Sequence, residues 1–173
     1  LEAYCGYGII GDQCYEAVPF GIGLDQSSPK IARVAAKRPT WAIYEAEAVG
    51  ALASGIGSEW PVNFLDLDPW GSPWPTLDAF LESDRPFPDV LALVCTDGLR
   101  QRLRMDGGRT VACLQEMVDL YGSHALHDHY VEICQEMVIK KTSQRGYTLA
   151  RWAGYYCGAG KMMTHYAALL KKG

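Results

Sequence analysis

The sequence predicts an α/β fold, a mostly parallel sheet flanked by helices, with one antiparallel strand in a C-terminal hairpin. Three observations carry that expectation. Apolar runs of strand length alternate with helix-like segments over the first hundred residues, the βαβα rhythm of a parallel sheet. A glycine-rich turn, Gly6-x-Gly8-x-x-Gly11, follows directly on the first of those runs. Near the C-terminus two long apolar runs are joined by Gly158-Ala159-Gly160, a connection short enough for a hairpin.

Residues 1–4 read as the first strand. It is cropped, because the chain opens on Leu1-Glu2 rather than methionine and the glycine turn begins at once, so an upstream piece is expected. Strands two to five fall at 20–24, 41–44, 62–67 and 90–95, with helices at 9–17, 29–37, 48–56 and 75–81. Pro29 after Ser28 suits a helix start, since amides of the first turn have no partner within the helix. Beyond residue 97, helices are expected at 110–121 and 129–142, then hairpin strands at 148–157 and 162–170. No repeat or low-complexity linker divides the 173 residues, so a single domain is expected. Ligands of such a sheet bind at the carboxyl ends of its strands.

Composition narrows the setting. No stretch approaches the roughly 20 apolar residues of a membrane span, and no signal peptide is recognisable. The six cysteines are scattered without a C-x-x-C pair, which argues against zinc and against a disulfide framework. Free thiols in a reducing cytoplasm are the expectation. The net charge of −4 divides unevenly: residues 1–97 carry −9 and residues 98–173 carry +5. A polyanion, RNA more readily than DNA, can use the second half while the first half serves a cationic cofactor.

The most informative local signal is Asp68-Pro69-Trp70-Gly71, directly after the strand-like run 62–67. An acid, a proline and an aromatic at the end of a buried strand suit the handling of a planar amine. The carboxylate of Asp68 accepts a hydrogen bond from the amine, Pro69 stiffens the turn, and Trp70 offers a stacking face. Alone, the tripeptide is an ordinary turn. Asp66, two residues earlier, shares a strand face with Asp68 and either contacts the cofactor or braces a loop.

The glycine turn admits two readings. Gly6-x-Gly8-x-x-Gly11 fits the dinucleotide fingerprint, with Asp25 near the distance at which an acid meets a ribose, so a nicotinamide oxidoreductase is one reading. Glu2 favours the other, because an acid in the first strand suits a cofactor with positive charge, such as S-adenosylmethionine (SAM). Asp25 then accepts the ribose hydroxyls, with Gln26 beside it. Glu47 receives the adenine amino group next to Ala48, or is a solvated acid at a helix start. Tyr4, Gly6 and Gly8 complete the expected cofactor contacts.

In this order, Glu2, Gly6-x-Gly8, Asp25, Glu47 and the 68–71 loop resemble the successive motifs of class I SAM-dependent methyltransferases. The resemblance implies a Rossmann-like sheet and SAM as cofactor. More narrowly, Asp66-Leu67-Asp68-Pro69-Trp70-Gly71-Ser72-Pro73, followed by Leu93-Val94-Cys95-Thr96-Asp97, resembles the tRNA guanine-N2 dimethyltransferase family. That family pairs an Asp-Pro-Phe-Gly loop with a Thr-Asp after the fifth strand. The likeness covers most of residues 1–100 and, faintly, Tyr121-Gly122 and Thr164-His165-Tyr166. Trp70 stands where the family has phenylalanine and keeps the stacking face. The family's large RNA-binding C-terminal region and its upstream segment are not matched by this sequence.

Asp68, Pro69 and Trp70 are therefore the expected catalytic residues, and Gly71 and Asp97 are expected at the substrate, Asp97 closing the pocket floor or holding the loop. Arg100, Arg102, Arg104 and Arg109 follow in a glycine-ended segment that either grips phosphates or is simply solvated. His124, His127, Asp128 and His129 read as a loop opening a helix rather than a metal centre. Trp152, Tyr155, Tyr156 and Tyr166 read as packing in the hairpin. The expected function is SAM-dependent N-methylation of an exocyclic amine of a nucleobase, guanine N2 in a tRNA-like RNA. A NAD(P)-dependent oxidoreductase and a non-catalytic SAM-fold subunit of a larger complex are the alternatives.

Overall fold

The computed structural model describes residues 1–106 and 112–173. The strands are β1 (Glu2–Ala3), β2 (Ile22–Asp25), β3 (Ala42–Glu45), β4 (Phe64–Leu67), β5 (Val90–Asp97), β6 (Tyr147–Cys157) and β7 (Met163–Lys172). They form one sheet in the order β3-β2-β1-β4-β5-β7-β6. Every pairing from β3 to β5 is parallel, and β7 lies antiparallel to both β5 and β6. The expected architecture, a parallel sheet with one reversed strand in a terminal hairpin, is the observed one.

The helices are α1 (Ile9–Cys14), α2 (Ser28–Lys37), α3 (Ala48–Ala53), α4 (Trp74–Glu82), α5 (Leu99–Asp106), α6 (Ala112–Tyr121), α7 (Ser123–Asp128) and α8 (Tyr130–Ser143). Several boundaries differ from expectation for local reasons. β1 ends at Ala3 because Tyr4 turns to φ 80° and its N–H, like that of Cys5, donates to Leu24 O. α1 stops at Cys14, where the Arg38 guanidinium takes the carbonyls of Gly11 and Tyr15. α3 ends at Ala53, ahead of Gly55 and Gly57, both at positive φ. The segment after β5, whose Leu99 and Leu103 stand one helical turn apart and are both buried, forms α5, and the histidine-bearing segment forms the short α7. Arg109 and the first two residues of the expected helix 110–121 lie outside the described residues.

One face of the sheet carries the main core. Leu65 and Leu67 of β4, Leu91 and Leu93 of β5, and Leu170 of β7 are all buried with Trp74, Leu77 and Phe80 of α4 and Tyr130 and Val138 of α8. Tyr166 stacks between Trp74 and Trp152 at centroid distances of 5.9 and 5.3 Å, and Tyr156 packs half-buried against the same core, so three of the hairpin aromatics pack as expected. Tyr155 does not, being 59% exposed. Lys141 of α8 pairs with Asp78 of α4 at 2.6 Å, which joins the two helices over the core.

α8 seats closely on the hairpin because β6 carries a glycine beneath it. A Cβ on Gly154 would stand 2.6 Å from Val131 Cγ1, and a β-branched side chain on a helix cannot turn aside. Gly154→Ala is therefore expected to destabilise the fold by about 1–3 kcal/mol. Urea unfolding checks this, and an unchanged midpoint would show that α8 yields at this contact.

Candidate active site

The carboxyl ends of β1, β2, β3 and β4 open onto a crevice of 350 Å3. Tyr4, Gly6, Asp25, Gln26, Glu47, Ala48, Asp68 and Trp70 line it, together with Leu24, Lys30 and Ala46. Eight of the residues singled out in the sequence thus meet in one place, drawn from four strand ends. Tyr4, at the floor, shares a 2.5 Å hydrogen bond between its hydroxyl and Thr76 Oγ1 at the start of α4. Its left-handed backbone is uncommon for a residue with a side chain and marks a position held by its surroundings.

Asp25 is buried, and its oxygens accept the N–H of Gly6 at 3.1 Å and of Ser27 at 2.9 Å, with Lys30 Nζ at 3.5 Å. The carboxylate thereby ties the glycine turn to the end of β2. A carboxylate offers about four lone-pair sites, so two strong bonds leave room for a ligand's hydroxyls. Glu47 is the N-cap of α3, accepting from Val49 N at 3.0 Å and Gly50 N at 2.7 Å. It is exposed on its crevice side, so capping and ligand contact are compatible in one carboxylate.

The 68–71 loop crosses the mouth. Pro69 is buried, Trp70 is fully exposed at the rim, and Gly71 takes φ 128°, a value that favours glycine. Gly71 N donates to Pro69 O at 2.9 Å, and Gly71 O accepts from Gly98 N at 2.8 Å. Gly98 in turn follows Asp97, whose carboxylate accepts from Leu99 N at 2.8 Å and from the Tyr130 hydroxyl at 3.0 Å. Asp97 is fully buried, outside the crevice, and acts on the loop through this turn.

Burial pushes the Asp97 carboxyl up from its ordinary 3.8 to about 7, against the lowering effect of its hydrogen bonds. Its ionisation in the fold therefore costs about 4 kcal/mol. The unfolded chain gives up this proton first, so the stability held by the protonated group is complete below about pH 4 and lost as pH rises through about 7. Asp97→Asn is expected to gain stability relative to the parent over that window, measured as unfolding free energy against pH. A constant difference across the window would contradict the buried-acid assignment.

Three residues expected at the cofactor lie outside the crevice. Glu2 and Asp66 face each other across β1 and β4, beneath the glycine turn rather than above it. Glu2 is raised to about 7, mainly by burial and next by Asp66, and Asp66 is raised mainly by burial while accepting a short hydrogen bond from the Tyr15 hydroxyl. Gly8 packs against α2, where an added Cβ would stand 3.1 Å from Val34 Cγ2. Tyr15 and Tyr130, which carry no sequence signal, emerge as the partners of Asp66 and Asp97.

Of the arginines, Arg100 is buried and spent on the fold. It donates to His127 O at 3.0 Å and to Lys161 O, and lies 4.1 Å over the Tyr156 ring. Arg102 and Arg104 are exposed on α5. His127 Nδ1 lies 3.0 Å from Asp128 Oδ1, and among the described residues no cluster of three His, Cys, Asp or Glu could hold a metal.

A larger cavity, 450 Å3, opens at the opposite end of the sheet between Val18, Phe20, Trp41, Trp60 and Phe64. It faces the amino ends of the strands and gathers none of the 68–71 loop, whereas open α/β sheets bind ligands at their carboxyl ends.

No protein-family model matches the sequence, and no curated protein matches it. Solved structures do match in fold. One is TYW2 of M. jannaschii in complex with AdoMet, at TM-score 0.61 and 10% identity over 97% of this chain and 66% of that one. A second is the plantazolicin methyltransferase BpumL in complex with SAH, at 0.59 and 11% identity over 99% and 75%. A third is the N-methyltransferase NodS of Bradyrhizobium japonicum WM9, at 0.58 and 10% identity over 99% and 84%. At these identities the likeness establishes the fold: this chain has the Rossmann-like sheet of the class I methyltransferases.

Proposed function

We propose that the chain is a SAM-dependent N-methyltransferase acting on an exocyclic amine of a nucleobase, guanine N2 in a tRNA-like RNA. The observation that carries the reading is the meeting of Tyr4, Gly6, Asp25, Gln26, Glu47 and Ala48 with Asp68 and Trp70 around one crevice. The residues fit the cofactor: Asp25 has lone pairs free for two ribose hydroxyls, Glu47 for an adenine amine, and Gly6 keeps the wall thin. Solved methyltransferases of this fold hold SAH or AdoMet. Bound there, SAM supplies a methyl group activated by its positively charged sulfur.

The protein's own task is mainly to position two reactants. The lone pair of an exocyclic amine is delocalised into its ring, which makes it a weak nucleophile. A hydrogen bond from the amine to Asp68 returns electron density to the nitrogen, and Asp68 then takes the proton that the methylated nitrogen sheds. Trp70 stacks on the base, worth roughly 1–3 kcal/mol. The base enters from a single strand or leaves its own stack to do so. Asp97 holds the loop through the Gly98–Gly71 bond. RNA reaches the site over the basic second half, a single domain serves the reaction, and a cytoplasmic setting suits it; no helix among the described residues is long and apolar enough to cross a membrane.

Incubation with methyl-labelled SAM and separate pools of total RNA, DNA and metabolites tests this. Label in RNA, recovered as N2-methylguanosine on digestion, is expected. Label confined to DNA or metabolites would refute the RNA assignment.

A further inference from the structure

The open face of the sheet carries a second set of functional groups beside Asp68. In β5 and β7 alternate residues, among them Asp97, Thr164 and Tyr166, are buried on the core face, while Thr96 and His165 lie on the other. Thr96 pairs with His165, and His165 pairs with Tyr155 of β6, so all three project from that face in one row. Leu67, the last residue of β4, pairs with Cys95, and Asp68 and Thr96 follow them, which sets Asp68 level with the row just past the end of β4. The order along the carboxyl edge is thus Asp68, Thr96, His165, Tyr155.

The row has the chemistry of a binding wall. The Tyr155 hydroxyl lies 3.2 Å from His165 Nδ1, with the rings 5.4 Å apart at 58°. That bond steadies the imidazole and leaves Nε2 as its remaining polar atom. Tyr155 is 59% exposed, far more than packing in the hairpin requires. One cation stands at the same edge: Lys161 is exposed in the turn between β6 and β7. Neighbouring strands lie about 4.8 Å apart, so His165 stands roughly 10 Å from Asp68 along the edge and Tyr155 farther still. Neither can reach the reacting amine.

We propose that Tyr155 and His165 hold the nucleotide next to the methylated base in a single-stranded RNA, as an outer wall of the acceptor site. This rests on the methyltransferase reading above and adds what the acceptor must be: a strand longer than one nucleotide, laid along the sheet edge from Trp70 toward β6. An exposed phenol takes a base by stacking with little regard to its identity. The imidazole offers a hydrogen bond to a ribose 2′-hydroxyl or phosphate, and Lys161 offers a charge to the backbone.

The test is fluorescence anisotropy with a labelled single-stranded RNA decamer in the absence of SAM, at one fixed salt concentration. Tyr155→Ala and His165→Ala are expected to weaken decamer binding about tenfold and about threefold, with SAM affinity by calorimetry unchanged. Tyr155→Phe, which keeps the ring and loses the hydroxyl, should fall between the parent and Tyr155→Ala and guards against a mere folding defect. Decamer binding within twofold of the parent in both alanine variants overturns the inference. A parent that binds SAM but not the decamer overturns it as well and leaves the methyltransferase reading standing, whereas a parent that binds neither removes both.

Discussion

Asp68→Ala is expected to lower methyl transfer by about 10²–10⁴-fold, the range a positioned acid–base group contributes, while SAM affinity stays within a few-fold of the parent. The separation follows from where Asp68 stands. The residues proposed for the ribose and the adenine, Asp25 and Glu47, stand at the ends of β2 and β3, while Asp68 sits past the end of β4, on the side of the crevice proposed for the acceptor. The loop itself is held elsewhere, by the Gly98–Gly71 bond and the turn around Asp97, so removing one carboxylate leaves its backbone in place. Single-turnover transfer measured beside calorimetric SAM binding checks the pair of results. Loss of SAM binding with the fold intact would assign Asp68 to the cofactor instead.

The second large effect is expected at Asp25. If the ribose rests on Asp25 as proposed, removing the carboxylate takes away two hydrogen bonds, each of about 1.5 kcal/mol for a charged acceptor, and raises the SAM dissociation constant about a hundredfold. It also frees the N–H groups of Gly6 and Ser27, which lose their acceptor and loosen the glycine turn. Asp25→Asn separates the two: one oxygen still serves a backbone N–H, so thermal stability recovers more than SAM affinity does. An unchanged dissociation constant in Asp25→Ala would remove this residue from the ribose.

The parts of the site that are legible in the sequence are those where a residue type is tied to a backbone position. A strand-length run that ends on Asp25, and another that runs into Asp68-Pro69-Trp70-Gly71, place both acids at carboxyl ends without knowledge of the packing. The parallel run of the first five strands follows in the same way from the alternation of apolar runs with helices, and the reversed last strand from the glycine-flanked turn, whereas the order of the strands across the sheet is not legible. What depends on a partner elsewhere in the chain is not legible. The alternation of a strand gives Glu2 a face but not the level of the glycine turn above it, so an acid expected at the cofactor lies beneath the turn with Asp66. The arginine run shows charge but not that Arg100 would be drawn under α7 and the hairpin turn. A turn confined to 158–160 would set Tyr155 opposite Met163. The turn takes in Lys161 and Met162 as well, which moves Tyr155 opposite His165 and creates the pair at the edge.

The central claim is that the crevice at the ends of β1 to β4 holds the methyl donor with its sulfur turned toward Asp68 and Trp70. A crystal structure of the protein saturated with S-adenosylhomocysteine tests it most directly. The expected result is the ribose on Asp25, the adenine beside Glu47 and Ala48, and the sulfur at the 68–71 loop. Density for the ligand in the apolar cavity at the amino ends of the strands, or a crevice that admits NAD and excludes S-adenosylhomocysteine, would contradict the account.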